Sequence, residues 1–140
     1  VDISRVMSML LIHDIVEIDA GDMFAFSDKA ALEEQREKEM AALTRIFGLL
    51  PQEQFQKYKA LWLEFEGAET IDARFAKAMD SVLPLLQNMR NEGGSWVKHN
   101  VKKSQVIKRN RYLEGLAPQL WLYVCQQIDF AVTQGWLLDD

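Results

Sequence analysis

The chain has one cysteine in 140 residues, Cys125. An intrachain disulfide and a zinc–thiolate cluster are both excluded by that count. Cys125 lies in the apolar segment Leu120-Trp-Leu-Tyr-Val-Cys-Gln-Gln-Ile128, and no histidine has an evident reason to sit beside it, so it reads as a core residue and not a nucleophile. No stretch approaches 18 uninterrupted apolar residues, which leaves no candidate membrane span, and no signal peptide is recognisable. A reducing, cytoplasmic setting fits best. Positive charge is short as well. The net charge of -5 argues against a broad nucleic-acid-binding surface. A small anionic substrate stays compatible, because a metal and a few local cations decide binding inside a pocket. Strand alternation, internal repeats, linkers, a glycine-rich phosphate cradle and a Ser-His-Asp set are all missing.

What is present is helical. Hydrophobic residues make up 49% of the chain, enough for one ordinary core, and we expect a single domain over residues 1–140 with an all-α, helical-bundle fold. The pattern predicts helices over residues 3–13, from Ser27 or Asp28 to about 48, from Pro51 to about 66, over 71–90, and over about 103–114 and 117–134. Apolar positions 3, 6, 7, 10 and 11 mark the first. Leu32, Met40, Leu43, Ile46 and Phe47 mark the inner side of the second, whose charged residues read as a solvated face. Phe55, Tyr58, Leu61, Trp62 and Phe65 form a core stripe on the third. Phe75, Met79, Val82, Leu83 and Leu86 are expected to be buried on the fourth. Thr70 is a candidate cap, and Gly93-Gly94 marks a break in a loop over residues 88–100. The last helix is either buried or part of a dimer contact.

The chemistry gathers in Met9-Leu-Leu-Ile-His13-Asp14-Ile-Val-Glu17-Ile-Asp19-Ala-Gly21-Asp22. An imidazole beside a carboxylate offers nitrogen and oxygen to one ion, a set suited to Mn, Co, Fe, Ni or Zn more than to Ca or a thiolate-selected metal. An unpaired carboxylate at the end of an apolar run would be costly to bury. A second periodic segment carries the acid Asp80 one helical turn above the small Ala76, with Pro84 placed to perturb the turn after it. Lys77, one turn before Asp80, reads as a surface lysine or as a group facing the pocket. Asp22 reads as a turn cap or as a group near the substrate. Asp19 reads as surface, and His99 as a loop residue making packing or hydrogen-bond contacts. Met23–Asp28 reads as a loop, either packed or lining an entrance.

His13-Asp14 with Glu17 and Gly21-Asp22, followed by Ala73-Arg-Phe-Ala-Lys-Ala-Met-Asp80 and Leu83-Pro-Leu-Leu-Gln87, resembles the HD-domain metal-dependent phosphohydrolases, in the compact branch that contains the 5'-deoxynucleotidases. The resemblance spans roughly residues 5 to 125. It implies His13, Asp14 and Asp80 as ligands of a divalent metal (Mn, Co, Mg, Fe, Ni or Zn), completed by water and by a histidine from an upstream helix. Val1 already reads as helical and is no initiator methionine, so the chain is expected to begin inside a longer protein. Ser81-Val-Leu83 stands where family members commonly place charged residues, and Ile18-Asp19-Ala20 reshapes the pocket edge; both bear on selectivity.

The reaction expected is hydrolysis of a (deoxy)ribonucleoside 5'-monophosphate to nucleoside and phosphate, with Glu17 as general base or water-orienting group. Asp14 is the alternative for proton transfer. The preference for deoxyribose rests on the resemblance alone. Three alternatives stand beside it: a phosphohydrolase of another small phosphorylated metabolite, a noncatalytic helical interaction module, and a phosphodiesterase, which the lack of a second histidine cluster disfavours.

Overall fold

The computed structural model describes residues 1–23 and 26–140. Part of the expected loop Met23–Asp28 therefore lies outside the described residues. The fold is all-α, and no strand occurs among the described residues. The chain divides into two compact units, Val1–Ala76 and Lys77–Asp140.

In the first unit α1 (Ile3–Ile12) leads through a 3₁₀ helix (His13–Val16) into the short α2 (Glu17–Ala20), then α3 (Lys29–Phe47), α4 (Gln52–Gly67) and the start of α5 (Ile71–Arg90). Each start has a local cause. Asp2 caps α1 by accepting from the Arg5 amide at 3.1 Å, and Asp28 caps α3 by accepting from the Ala31 amide at 2.9 Å. The Thr70 hydroxyl accepts from the Ala73 amide at 3.2 Å, the cap expected for α5. Gly48 and Pro51 separate α3 from α4 as anticipated.

Two apolar clusters hold this unit together. Val6 and Met9 of α1 meet Leu61 and Phe65 of α4 and Ala73 and Ala76 of α5; Val16, Ala42, Leu43, Phe47 and Trp62 form the other. Ile12 packs against both, so the chain reaches His13 pinned on two sides. Burying one large side chain of this kind contributes about 1.5–3 kcal/mol. Arg5 adds a polar tie, pairing with Glu64 of α4 and, at 3.4 Å, with Asp72 of α5.

Several apolar positions of the expected helices face outward. Ile3, Met7 and Leu11 are exposed while Met9 is fully buried, because only the α1 face at positions 6 and 9 meets α4 and α5. Leu32 is exposed too, and Gln35 occupies the inner face of α3. On α5 Val82 is buried as expected and Leu83 is exposed; the small Ala73, Ala76 and Ala78, fully buried, share the close-packed face with Val82 and Leu85.

In the second unit α5 continues to Arg90, followed by α6 (Gly94–Lys98), α7 (Lys103–Asn110), α8 (Leu113–Leu116) and α9 (Pro118–Thr133). The expected loop over residues 88–100 is shorter than the sequence suggests: Asn88 still belongs to α5, and its side-chain oxygen accepts from the Ser95 amide at 2.8 Å, which starts α6. Gly93, at φ 88°, makes the break, and a methyl there would meet Trp136 and Val97 at 2.7 Å. Val124, Ile128 and Ala131 of α9 are fully buried with Leu113, while Leu122 and Phe130 are exposed. Lys102 and Leu138 form an isolated parallel bridge that ties the tail to the start of α7.

Candidate functional site

The His-Asp pair sits where α1 tightens. In a continuing α-helix the His13 carbonyl would accept the Glu17 amide. Here Trp62 of α4 donates its indole N–H to that carbonyl at 3.1 Å, and the Glu17 amide turns to the Asp14 carbonyl. The turn becomes 3₁₀, in which residues three apart eclipse. Asp14 and Glu17 are three apart, so the two acids line up on one side of the chain.

His13 is held at every edge. Its ring tilts against Phe65 with centroids 4.6 Å apart, and its Nδ1 lies 2.8 Å from the Leu10 carbonyl. A carbonyl only accepts, so Nδ1 carries the proton. Nε2 then faces Asp14 Oδ1 at 2.9 Å, from a ring only 13% exposed toward a carboxylate 65% exposed. Two lone pairs do not rest at that distance without a positive charge between them, either a second imidazole proton or a shared cation. Two donors about 2.0–2.2 Å from one ion, at right angles to each other, stand about 3 Å apart. A hydrogen-bonded imidazole–carboxylate pair has this separation, and so would two ligands of one divalent metal, with the far nitrogen tied to a carbonyl in the manner usual for ligating histidines.

Glu17 is half-buried, and its carboxyl is pushed up to about 7, first by burial and then by the charges of Asp14 and Asp22. A carboxyl poised there exchanges a proton near neutral pH. A cation at the His-Asp pair would draw it back down. Gly21 follows α2 at φ 76°, ψ 160°, conformations open essentially to glycine alone, and its amide donates to the Glu17 carbonyl at 2.8 Å. Asp22, just beyond, is exposed. His13, Asp14, Glu17 and Asp22 thus come together in ten residues of the first unit.

Asp80 and Lys77 lie in the second unit, on α5, each half-buried and each engaged in contacts. Pro84 cannot supply the amide that would close the helical bond onto the Asp80 carbonyl, yet α5 runs through it to Arg90. Among the described residues no three His, Cys, Asp or Glu side chains are gathered as a ligand set for an ion. Asp19 is paired with Arg45, at 2.8 Å for one of the two bonds, in keeping with a surface role. His99 is exposed at the end of α6. Cys125 is half-buried and burial pushes its thiol up, which is unfavourable for a nucleophile. A groove of about 430 Å³ between α1 and α4 is lined by Ser4, Arg5, Ser8, Lys57 and Glu64 among others and includes none of these residues.

Two contributors went unnoticed in the sequence. Trp62 lies on the expected core stripe and is buried, and its N–H also sets the turn. Gln35, 7% exposed, donates from Nε2 to the Gly21 carbonyl at 2.7 Å. Its signal was a polar residue at an inner position of a helix, visible only once the inner face is known.

Known proteins resemble this chain. A 5'-deoxynucleotidase HDDC2 of Xenopus laevis is 35% identical over 88 residues, 63% of this chain and 43% of that protein. The Homo sapiens 5'-deoxynucleotidase HDDC2 is 32% identical over 83 residues, 59% of this chain and 40% of that protein. The matched stretch thus spans less than half the length of these relatives. A solved structure of a predicted metal-dependent phosphohydrolase from Magnetospirillum magnetotacticum aligns with a TM-score of 0.91 and 46% identity, covering 99% of this chain and 68% of that one. The model of the HD domain matches residues 1–121, from the helix that delivers His13 through α5 and on into α9. The histidine and aspartate at the end of α1 are thus read in their own context, and the chain belongs to the HD-domain family.

Proposed function

We propose that residues 1–140 form one HD domain that hydrolyses a nucleoside 5'-monophosphate, releasing nucleoside and phosphate, with a divalent cation held by His13, Asp14 and Asp80. The observation that carries this reading is the 2.9 Å approach of His13 Nε2 to Asp14 Oδ1 with Nδ1 already tied to the Leu10 carbonyl. The 5'-deoxynucleotidase relatives support the nucleotide as substrate and favour deoxyribose.

The cation supplies charge neutralisation at the phosphoryl oxygens and acidifies water. Glu17 accepts the proton of the attacking water as its oxygen bonds to phosphorus. The bond from phosphorus to the 5'-oxygen breaks, and that oxygen takes up a proton from water and leaves as the nucleoside hydroxyl. Burial, and after it the charges of Asp14 and Asp22, push the Glu17 carboxyl up, which favours its taking a proton. Lys77, one turn from Asp80, would meet the phosphate. A reducing, cytoplasmic setting accords with the single cysteine, and a second copy of the chain would cover the exposed Leu122 and Phe130 of α9.

The test is phosphate release by the full-length protein, stripped of metal and resupplied with Mn, Co or Mg, across deoxy- and ribonucleoside 5'-monophosphates and simple phosphomonoesters. Turnover confined to deoxynucleotides is the expected result. Turnover of other phosphomonoesters alone would move the substrate to another small phosphorylated metabolite, and silence from folded, metal-loaded protein would leave a noncatalytic module.

A further inference from the structure

We propose that Gln35 is a positioning residue for hydrolysis, acting through the Gly21-Asp22 turn; the inference rests on the phosphohydrolase reading above. Gln35 stands on the inner face of α3 and is 7% exposed. A buried amide is stable only when its polar atoms are bonded. Its Nε2 donates to the Gly21 carbonyl at 2.7 Å and points toward Glu39 Oε1 at 3.4 Å. The Gly21 amide in turn donates to the Glu17 carbonyl at 2.8 Å. One glycine is thus bonded at both ends, to the turn that carries Glu17 and to α3. Its backbone, at φ 76° and ψ 160°, lies where few conformations are open, so the outer bond selects a single course for the chain into Asp22. Fixing the Gly21 carbonyl fixes the plane of the peptide that begins Asp22. An apolar side chain at position 35 would fill the space and leave that peptide free to turn.

The prediction separates this role from mere packing. Gln35→Met keeps the length of the side chain and removes the donor. In the full-length protein it should lower kcat about tenfold or more, with KM within about threefold and bound Mn unchanged, because a small misplacement near a reacting group has effects of that order. In an Asp22→Ala background the same change should lower kcat less than about twofold, since residues acting through one another are not additive. Gln35→Glu, which exchanges the donor for an oxygen at constant shape, should fall likewise and stands in if the methionine variant does not keep its helical circular dichroism. Wild-type kcat in either folded variant, or a full independent loss in the Asp22→Ala background, overturns the inference. If the unaltered protein releases no phosphate, the phosphohydrolase reading fails with it; amide hydrogen exchange at Asp22, expected about tenfold faster in Gln35→Met, then reads the clamp alone, and an unchanged rate removes that too.

Discussion

Trp62 donates its indole N–H to the His13 carbonyl at 3.1 Å, across 49 residues of sequence. The bond takes the acceptor that would otherwise prolong α1, and the tightened turn aligns Asp14 with Glu17. Trp62→Phe keeps most of the ring in the core and removes the donor. Loss of one such bond should lower stability by about 0.5–1.5 kcal/mol in urea denaturation. The larger effect should be on turnover, through Glu17; a variant with reduced stability and unchanged kcat would show that the turn keeps its geometry without the tryptophan.

The proposed ligands and the proposed base should separate in their effects. Asp14→Ala and Asp80→Ala should each abolish metal content, read by elemental analysis, together with activity. Glu17→Gln should retain metal and lose about 10²–10⁴ in kcat. Full metal-dependent turnover in Asp14→Ala would remove the His13-Asp14 pair from the reaction.

The raised Glu17 carboxyl has a consequence for stability in metal-free protein. It is pushed from about 4.5 to about 7. Between those values the folded chain holds more protons than the unfolded one, so stability falls as pH rises through the window. The Tm of the stripped protein should therefore drop between pH 5 and pH 8. Glu17→Gln should flatten that slope, and an equal slope in the variant would place its cause in other groups.

Gly21 allows a test free of steric collision. No described residue lies within 4 Å of a methyl built there, so among these Gly21→Ala meets only the backbone conformation at φ 76°. The expected loss is about 1–3 kcal/mol, measured by chemical denaturation. A negligible loss would mean that the turn relaxes readily and that the Gln35 bond does not hold it.

The legible parts of this molecule were those set by local chemistry. Asp28, Thr70, Gly48 and Pro51 announce helix ends because capping and chain breaking act within a few residues. The His13-Asp14 run was legible for a similar reason, its groups being close in sequence. Leu32 and Leu83 misled because periodicity shows that a helix has an apolar side but not how wide a strip its neighbours cover. The 3₁₀ turn at His13 depends on an indole 49 residues away, and the role of Gln35 on a carbonyl 14 residues away. Neither leaves a trace in spacing.

The tail carries the same dependence into the order of folding. The Ser104 amide and hydroxyl, in the first turn of α7, donate to the Asp140 carboxylate at 3.0 and 2.6 Å, and the Lys103 amide donates to the Leu138 carbonyl at 2.8 Å. The first turn of α7 is therefore completed by residues that emerge from the ribosome after α9. Until they arrive, those amides have only water as partner, and an eight-residue helix gains little from its own propensity. Formation of α7 should accordingly wait on the arrival of residues 138–140 and not follow directly on its own translation.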